Sequence, residues 1–244
     1  MRTEATGYGA IFFAQNMLQQ IKEDVDGKRV LISGSGNVAT HAAEKVLQLG
    51  GKPITLSDSG GFIECSDGLT QEQIDWIKEL KDVRRGRISE AADEYKNINF
   101  HADKRPWGVA ADMAVPSATQ NEVNGEDASV MIKNGVQLVA EAANMPCEQS
   151  AVDAFIDAGV NFGPAKAVNA GGVGVSGLEM SQNSARIAWD ANQLADMLQT
   201  MMKSIHDSCV EYGEESGGKV NYLKGANVAG FMKVAEAMMS YGHV

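Results

Sequence analysis

The clearest hydrophobic pattern in this 244-residue chain lies in the stretch Arg29–Ala39, where an apolar, β-branched run after Arg29 ends in a glycine turn at Gly34. A short apolar run bounded by turn residues is typical of a strand buried on both faces of a parallel sheet. After the turn, apolar residues recur with helical spacing to about Leu49, and a second apolar run follows from Pro53 to Ser57. This order of strand, helix and strand predicts an α/β fold.

The same alternation continues along the chain. We expect further buried strands at residues 111–115, 137–140 and 160–162, with helices at about 10–21, 70–83, 89–95, 126–133 and 148–158. Residues 59–68 are expected to form a loop or short hairpin, and Thr70 and Gln73 have the spacing of a capping box. Five or six strand–helix units without a linker predict one domain over residues 1–244, a doubly wound, Rossmann-like sheet with flanking helices.

The C-terminal part has a different pattern. A glycine-rich stretch at residues 164–180 leads into one long helix that we expect to reach about Tyr212. A last helix is expected from about Val228 to Tyr241. We therefore expect the domain to include C-terminal helices from about residue 174 onward.

Composition excludes several classes of function. A net charge of −11 argues against a surface that binds nucleic-acid phosphates. Three widely spaced cysteines do not suggest a disulfide framework, and no apolar run approaches the roughly 20 residues that cross a bilayer. We expect a cytoplasmic protein with neither nucleic-acid nor membrane partners. The spacing of the four histidines does not match that of metal ligands, so we expect no metal site; these histidines are His41, His101, His206 and His243. His41 is expected to be exposed.

The glycine turn is the first candidate site. In Gly34-x-Gly36-x-x-Ala39, the first glycine allows a tight turn, the second lets the backbone approach a pyrophosphate, and the alanine keeps helix and strand close. The helix that follows presents unpaired N–H groups to phosphates. Asp58, at the end of the second strand, lies where an acid contacts the ribose in such units. Dinucleotide binding is favoured over an ordinary α/β turn.

Arginines at positions 84, 85 and 87 allow two interpretations. They supply favourable charge at the end of a helix, or they bind the 2′-phosphate of NADP through the guanidinium fork.

Several separated motifs together resemble the hexameric bacterial glutamate dehydrogenases. The motifs are Thr3–Gly9, Gly34–Ala39, Ser57–Ser59, Ala118–Asn121, Glu141–Pro146, Asn169–Asn183 and Gly225–Asn227. They cover essentially the whole chain but only the second half of the family's chain. The resemblance implies that the family's N-terminal domain, with its catalytic lysine and aspartate, is absent. We therefore expect an isolated cofactor domain, without catalytic residues, that binds cofactor but does not turn over.

The resemblance also assigns roles to individual positions. Thr6 and Asn169 would contact the nicotinamide, Asp58 and Ser59 the adenosine ribose, and Val173 and Ser176 the substrate, with Ser176 near its side-chain carboxylate. Other expected cofactor contacts are Gly34, Ser35, Gly36, Asn37, Val38, Arg85, Ala118, Thr119, Gln120, Ala143 and Asn144.

The implied reaction is oxidative deamination of L-glutamate to 2-oxoglutarate and ammonium, by a homohexamer in the full enzyme. An acid at the position of Asp58 favours NAD as the cofactor. The sequence Ser57-Asp58-Ser59 and the nearby arginines, however, resemble those of the NADP-linked members of the family. We therefore expect NADP as the cofactor, with NAD as the alternative. Three alternatives stay open: a non-catalytic module that senses cofactor or binds a partner, half of a split enzyme, and a dehydrogenase for branched or aromatic amino acids.

Overall fold

The computed structural model describes residues 2–242. Its strands are β1 (Arg29–Ile32), β2 (Lys52–Pro53), β3 (Thr55–Asp58), β4 (Gly61–Glu64), β5 (Asn99–Ala102), β6 (Met113–Val115), β7 (Leu138–Ala140) and β8 (Asn161–Gly163). Its α-helices are α1 (Ala5–Gln20), α2 (Asn37–Gln48), α3 (Gln71–Glu79), α4 (Glu90–Glu94), α5 (Gly125–Lys133), α6 (Gln149–Asp157), α7 (Ala165–Val168), α8 (Ala170–Ala185), α9 (Ala191–Gly213) and α10 (Tyr222–Tyr241). A π-helical turn (Leu80–Arg84) and a 3-10 turn (Pro106–Gly108) complete it.

Five of the strands form one parallel sheet in the order β2-β1-β6-β7-β8. Alternate residues of a strand point to opposite faces of a sheet. Val30 and Ile32 accordingly join one hydrophobic core, and Leu31 joins the other. Both faces are thus covered by apolar side chains, and the predicted doubly wound α/β fold is confirmed.

A second, antiparallel sheet in the order β3-β4-β5 extends from the edge of the first. Its first strand continues β2 after Ile54, whose N–H still bonds to the Val30 carbonyl at 3.0 Å. The expected loop or hairpin at residues 59–68 is a hairpin containing β4. The strand β5 was not predicted, because its residues are at most half-buried and carry no continuous apolar pattern.

On one face of the sheet, the helix α1 packs against three other helices, α2, α8 and α9. Its buried face begins at Ala5 rather than at Ala10, so the predicted start was five residues late. The close approach to α2 depends on Gly7. A Cβ atom there would lie 2.6 Å from the Val38 carbonyl oxygen and 2.7 Å from the Ala42 nitrogen.

The predicted long C-terminal helix is wrong: the segment contains α8 and α9, separated at residues 186–190. Arg186 ends α8 in the left-handed conformation (φ 54°), and Asp190 begins α9 with a capping box to Gln193. The last helix starts at Tyr222, six residues earlier than expected.

The expected exposure of His41 is also wrong. It is buried in α2, where its Nδ1 lies 2.7 Å from the Asn37 carbonyl oxygen and its ring packs edge-on against Tyr8. His243 lies outside the described residues.

No helix within residues 2–242 has the length and apolar character needed to cross a bilayer. Over the same range, no group of three or more histidine, cysteine, aspartate or glutamate side chains is arranged to hold a metal ion.

Candidate functional site

The glycine turn lies directly after β1 and is attached to the end of β3. Gly34 has a φ of 81°, a conformation that favours glycine, and its N–H donates to Ser57 Oγ at 2.8 Å. In return, the Ser57 N–H donates to the Gly34 carbonyl at 2.9 Å. These bonds fix the turn at the carboxyl edge of the sheet.

The next glycine begins α2 and has a different environment. Gly36 is the N-cap of α2, offers no side chain to cap it, and has an extended backbone (φ −86°). A Cβ atom added at Gly36 would meet nothing within 4 Å. The start of α2 therefore presents uncapped N–H groups beside open space, an arrangement that fits a pyrophosphate.

Two adjoining pockets open along the carboxyl ends of the parallel strands. The glycine-turn pocket has a volume of about 590 Å³ and is lined by Gly34, Ser35, Gly36, Asn37, Val38, Ser57, Asp58, Ser59, Arg105, Ser117, Ala118, Thr119 and Glu122. The strand-end pocket, of about 760 Å³, is lined by Arg2, Thr6, Val38, Ser117, Ala118, Thr119, Gln120, Ala142, Ala143, Asn144, Asn169, Gly172, Val173 and Ser176. They share Val38 and residues 117–119, so they form one groove across the sheet, in the position where open α/β sheets bind ligands.

This groove brings together the site residues expected from the sequence, with one exception. Arg85 lines neither pocket and adopts the left-handed conformation (φ 56°) at the end of the π-helical turn. Among the neighbouring arginines, Arg87 contacts the site, donating from Nη1 to Ser59 Oγ at 2.8 Å. Arg84 stacks over Trp76 instead.

The carboxylate of Asp58 is occupied by bonds within the protein. Its Oδ1 accepts from the Gly60 N–H, and its Oδ2 accepts from the Ile88 N–H, both at 2.9 Å, and from Lys81 Nζ at 3.3 Å. Burial would raise the pKa of Asp58, but these hydrogen bonds and the Lys81 charge outweigh it, and the pKa lies below its usual value. Asp58 thus stays ionised and anchors the segment that carries Arg87.

Polar side chains that line the strand-end pocket form two hydrogen-bonded pairs. Asn169 Nδ2 donates to Asn144 Oδ1 at 2.8 Å, joining the loops after β7 and β8. Arg2 Nε donates to Ser176 Oγ at 2.9 Å. The Arg2 side chain is half exposed and its Nε also lies 3.9 Å from Glu179 Oε2, while Ser176 Oγ donates to the Gly172 carbonyl at 3.1 Å.

Three lining residues with charged side chains were not predicted from the sequence: Arg2, Arg105 and Glu122. Glu122 Oε1 accepts from Ser33 Oγ and the Ala118 N–H, both at 2.9 Å, and so joins the loops after β1 and β6. Burial raises the pKa of Glu122. Glu122 directly follows the Ala118–Asn121 motif, and its position next to that motif was the available signal.

Comparison with known proteins shows what this chain resembles. The model of the family "Glutamate/Leucine/Phenylalanine/Valine dehydrogenase" matches residues 1–242. A glutamate dehydrogenase of Bacteroides thetaiotaomicron is 52% identical over 100% of this chain and 55% of its own length. An NADP-specific glutamate dehydrogenase of Haemophilus influenzae is 49% identical over 99% of this chain and 54% of its own length.

Solved structures agree with these sequence matches. The crystal structure of Plasmodium falciparum glutamate dehydrogenase superposes with a TM-score of 0.96 and 38% identity, covering 100% of this chain and 52% of that one. The chain therefore spans about half the length of the relatives it matches. With a family match over nearly every residue, the chain belongs to the glutamate, leucine, phenylalanine and valine dehydrogenase family.

Proposed function

We propose that this chain is the NADP(H)-binding half of a glutamate dehydrogenase, and that it binds the cofactor but does not turn over alone. The observation that carries the proposal is the continuous groove, which has open space beside Gly36 and is lined by all of the expected contact residues except Arg85. When bound, the nicotinamide ring accepts or supplies the hydride that leaves or joins the substrate α-carbon. The protein's part is to bind and orient both molecules.

Each section of the groove has a distinct role in this proposal. The uncapped N–H groups at the start of α2 bind the pyrophosphate, and Gly36 allows its close approach. The strand-end pocket takes the nicotinamide, and Thr6 and the bonded pair Asn144 and Asn169 line that pocket.

The pair of Arg2 and Ser176 supports glutamate as the substrate. A guanidinium and a hydroxyl can both donate to a carboxylate, whereas a branched or aromatic side chain offers them no acceptor. The full proposal comprises oxidation of L-glutamate to 2-oxoglutarate, assembly as a homohexamer, and a cytoplasmic location.

The contacts of Asp58 favour NADP over NAD. Because three donors already bind its two oxygens, this carboxylate is less available to a ribose 2′-hydroxyl. Lys81 also offsets its charge, which reduces repulsion of a 2′-phosphate. Ser59 and Arg87 then supply donors for that phosphate.

Titration of the purified chain with NADPH, followed by nicotinamide fluorescence, tests the central proposal. We expect saturable binding below millimolar cofactor and no glutamate-dependent formation of NADPH. A linear titration to millimolar NADPH would contradict the binding, and steady glutamate oxidation would contradict the lack of turnover. Restored activity on adding the remaining half of the Bacteroides thetaiotaomicron relative would support a split enzyme over a sensing module.

Replacing Arg87 with alanine is expected to weaken NADPH binding by roughly tenfold, the scale of one hydrogen bond to a charged group, and to leave NADH binding nearly unchanged. The comparison is made by titrating both cofactors against wild type and variant. Arg85→Asn is the matched control, because it removes a neighbouring positive charge outside the groove and asparagine tolerates the left-handed conformation. An equal loss for both cofactors, or a larger effect of Arg85→Asn, would contradict this role of Arg87.

A further inference from the structure

Arg105 lines the glycine-turn pocket together with Asp58 and Ser59, but it reaches the pocket from a different part of the chain. Its backbone is held firmly, because Pro106 begins the 3-10 turn and the following Trp107 is fully buried in the second hydrophobic core. The turn itself packs against β1, β3, β4 and α5. Arg105 is therefore an exposed side chain on a fixed support.

One edge of the Arg105 guanidinium is bound to the protein. Nη1 donates to the Glu122 carbonyl oxygen at 2.8 Å and pairs with Asp127 Oδ2 at 3.0 Å. Asp127 is in turn fixed by the capping box that it forms with Asn124 at the start of α5. The guanidinium is thus anchored at Nη1, and half of the side chain (52%) stays exposed to solvent.

These contacts favour the planar face of Arg105 over its charge as the binding element. The carboxylate of Asp127 offsets the charge, whereas the flat face of an anchored guanidinium remains able to stack on an aromatic ring. On the Asp58 side of the pocket, Arg87 and Lys81 already supply positive charge. In a dinucleotide, the adenine ring is attached to the ribose that is proposed above to lie beside Asp58 and Ser59.

We propose that Arg105 stacks its guanidinium plane on the adenine ring of the bound cofactor, an inference that rests on the function proposed above. The loops after β3 and β6 then hold the adenosine between them, with the 2′-phosphate facing Arg87 and the base facing Arg105. Arg105 thereby strengthens binding of NADPH and NADH alike and does not discriminate between them.

The test compares Arg105→Ala, Arg105→Lys and Lys104→Ala with the wild-type chain, each titrated with NADPH and with NADH. Arg105→Ala is expected to raise both dissociation constants by the same factor, about three- to tenfold. Arg105→Lys is expected to recover little of this loss, since an ammonium group has no planar face. Lys104→Ala removes the adjacent exposed charge and is expected to change either constant by less than about twofold.

Other results would overturn the inference. A loss confined to NADPH, or recovery by Arg105→Lys, would mean that Arg105 acts through its charge on a phosphate. Unchanged binding of both cofactors to Arg105→Ala would remove Arg105 from the site while leaving the proposed function intact. Absence of NADPH binding by the wild-type chain itself would overturn both proposals, and the wild-type titration alone reports it.

Discussion

Replacing Gly36 with aspartate is expected to raise the dissociation constant for NADPH by about a hundredfold or more, which corresponds to about 3 kcal/mol. The new side chain would fill the open space beside the start of α2 and place a carboxylate where the pyrophosphate is proposed to bind. Folding should be unaffected, because an extended N-cap position accepts aspartate readily. Fluorescence titration measures the affinity, and thermal unfolding measures the stability.

The control for Gly36→Asp is Gly108→Asp. Gly108 also has open space around it but lies outside both pockets, so the variant adds the same charge without blocking the groove. Gly108→Asp should bind NADPH nearly as well as the wild type. If Gly36→Asp bound within about threefold of wild type, the pyrophosphate would have to lie elsewhere.

The second large effect concerns stability. Gly7→Ala is expected to destabilise the fold by about 1–3 kcal/mol, because its Cβ would press on backbone atoms of α2 that cannot move independently of the helix. Thermal unfolding should show a decrease of several degrees, on the scale of about 2–4 °C per kcal/mol for a chain of this size. The affinity for NADPH should also fall, since Thr6 and Val38 line the strand-end pocket on either side of this contact.

A glycine-to-alanine substitution in another helix should have the opposite effect on stability. Gly230 lies in α10, is exposed, and an added Cβ there would meet nothing within 4 Å. Gly230→Ala is therefore expected to stabilise the chain by up to about 1 kcal/mol through helix propensity alone. If both variants destabilised the chain equally, close packing of α1 on α2 would not be the cause of the Gly7 effect.

Much of this architecture could be predicted because it depends on local patterns. The buried parallel strands are short apolar runs, and the capping box of Thr70 and Gln73 is present as expected. The role of the glycine turn could also be predicted, because a tight turn there requires a positive φ, which favours glycine. Gly34 does adopt a positive φ.

Other features depend on contacts between distant parts of the chain. Arg2 lies beside Ser176 and Arg105 beside Asp127 only after the sheet and helices have assembled. His41 is buried because α1 packs across α2, and the sequence of α2 alone does not show that contact. The break between α8 and α9 has no glycine or proline to mark it, although Asp190 and Gln193 do have capping-box spacing.

The bonds made by Asp58 have a consequence for redesigning the cofactor preference. In a simple dinucleotide unit, the acid after the second strand is the obvious position to change. Here its removal would release the Ile88 N–H and Lys81, and with them the segment that presents Arg87. Exchange of NADP for NAD preference is therefore better sought at Ser59 and Arg87, whose contact can be altered while the anchor beneath them is kept.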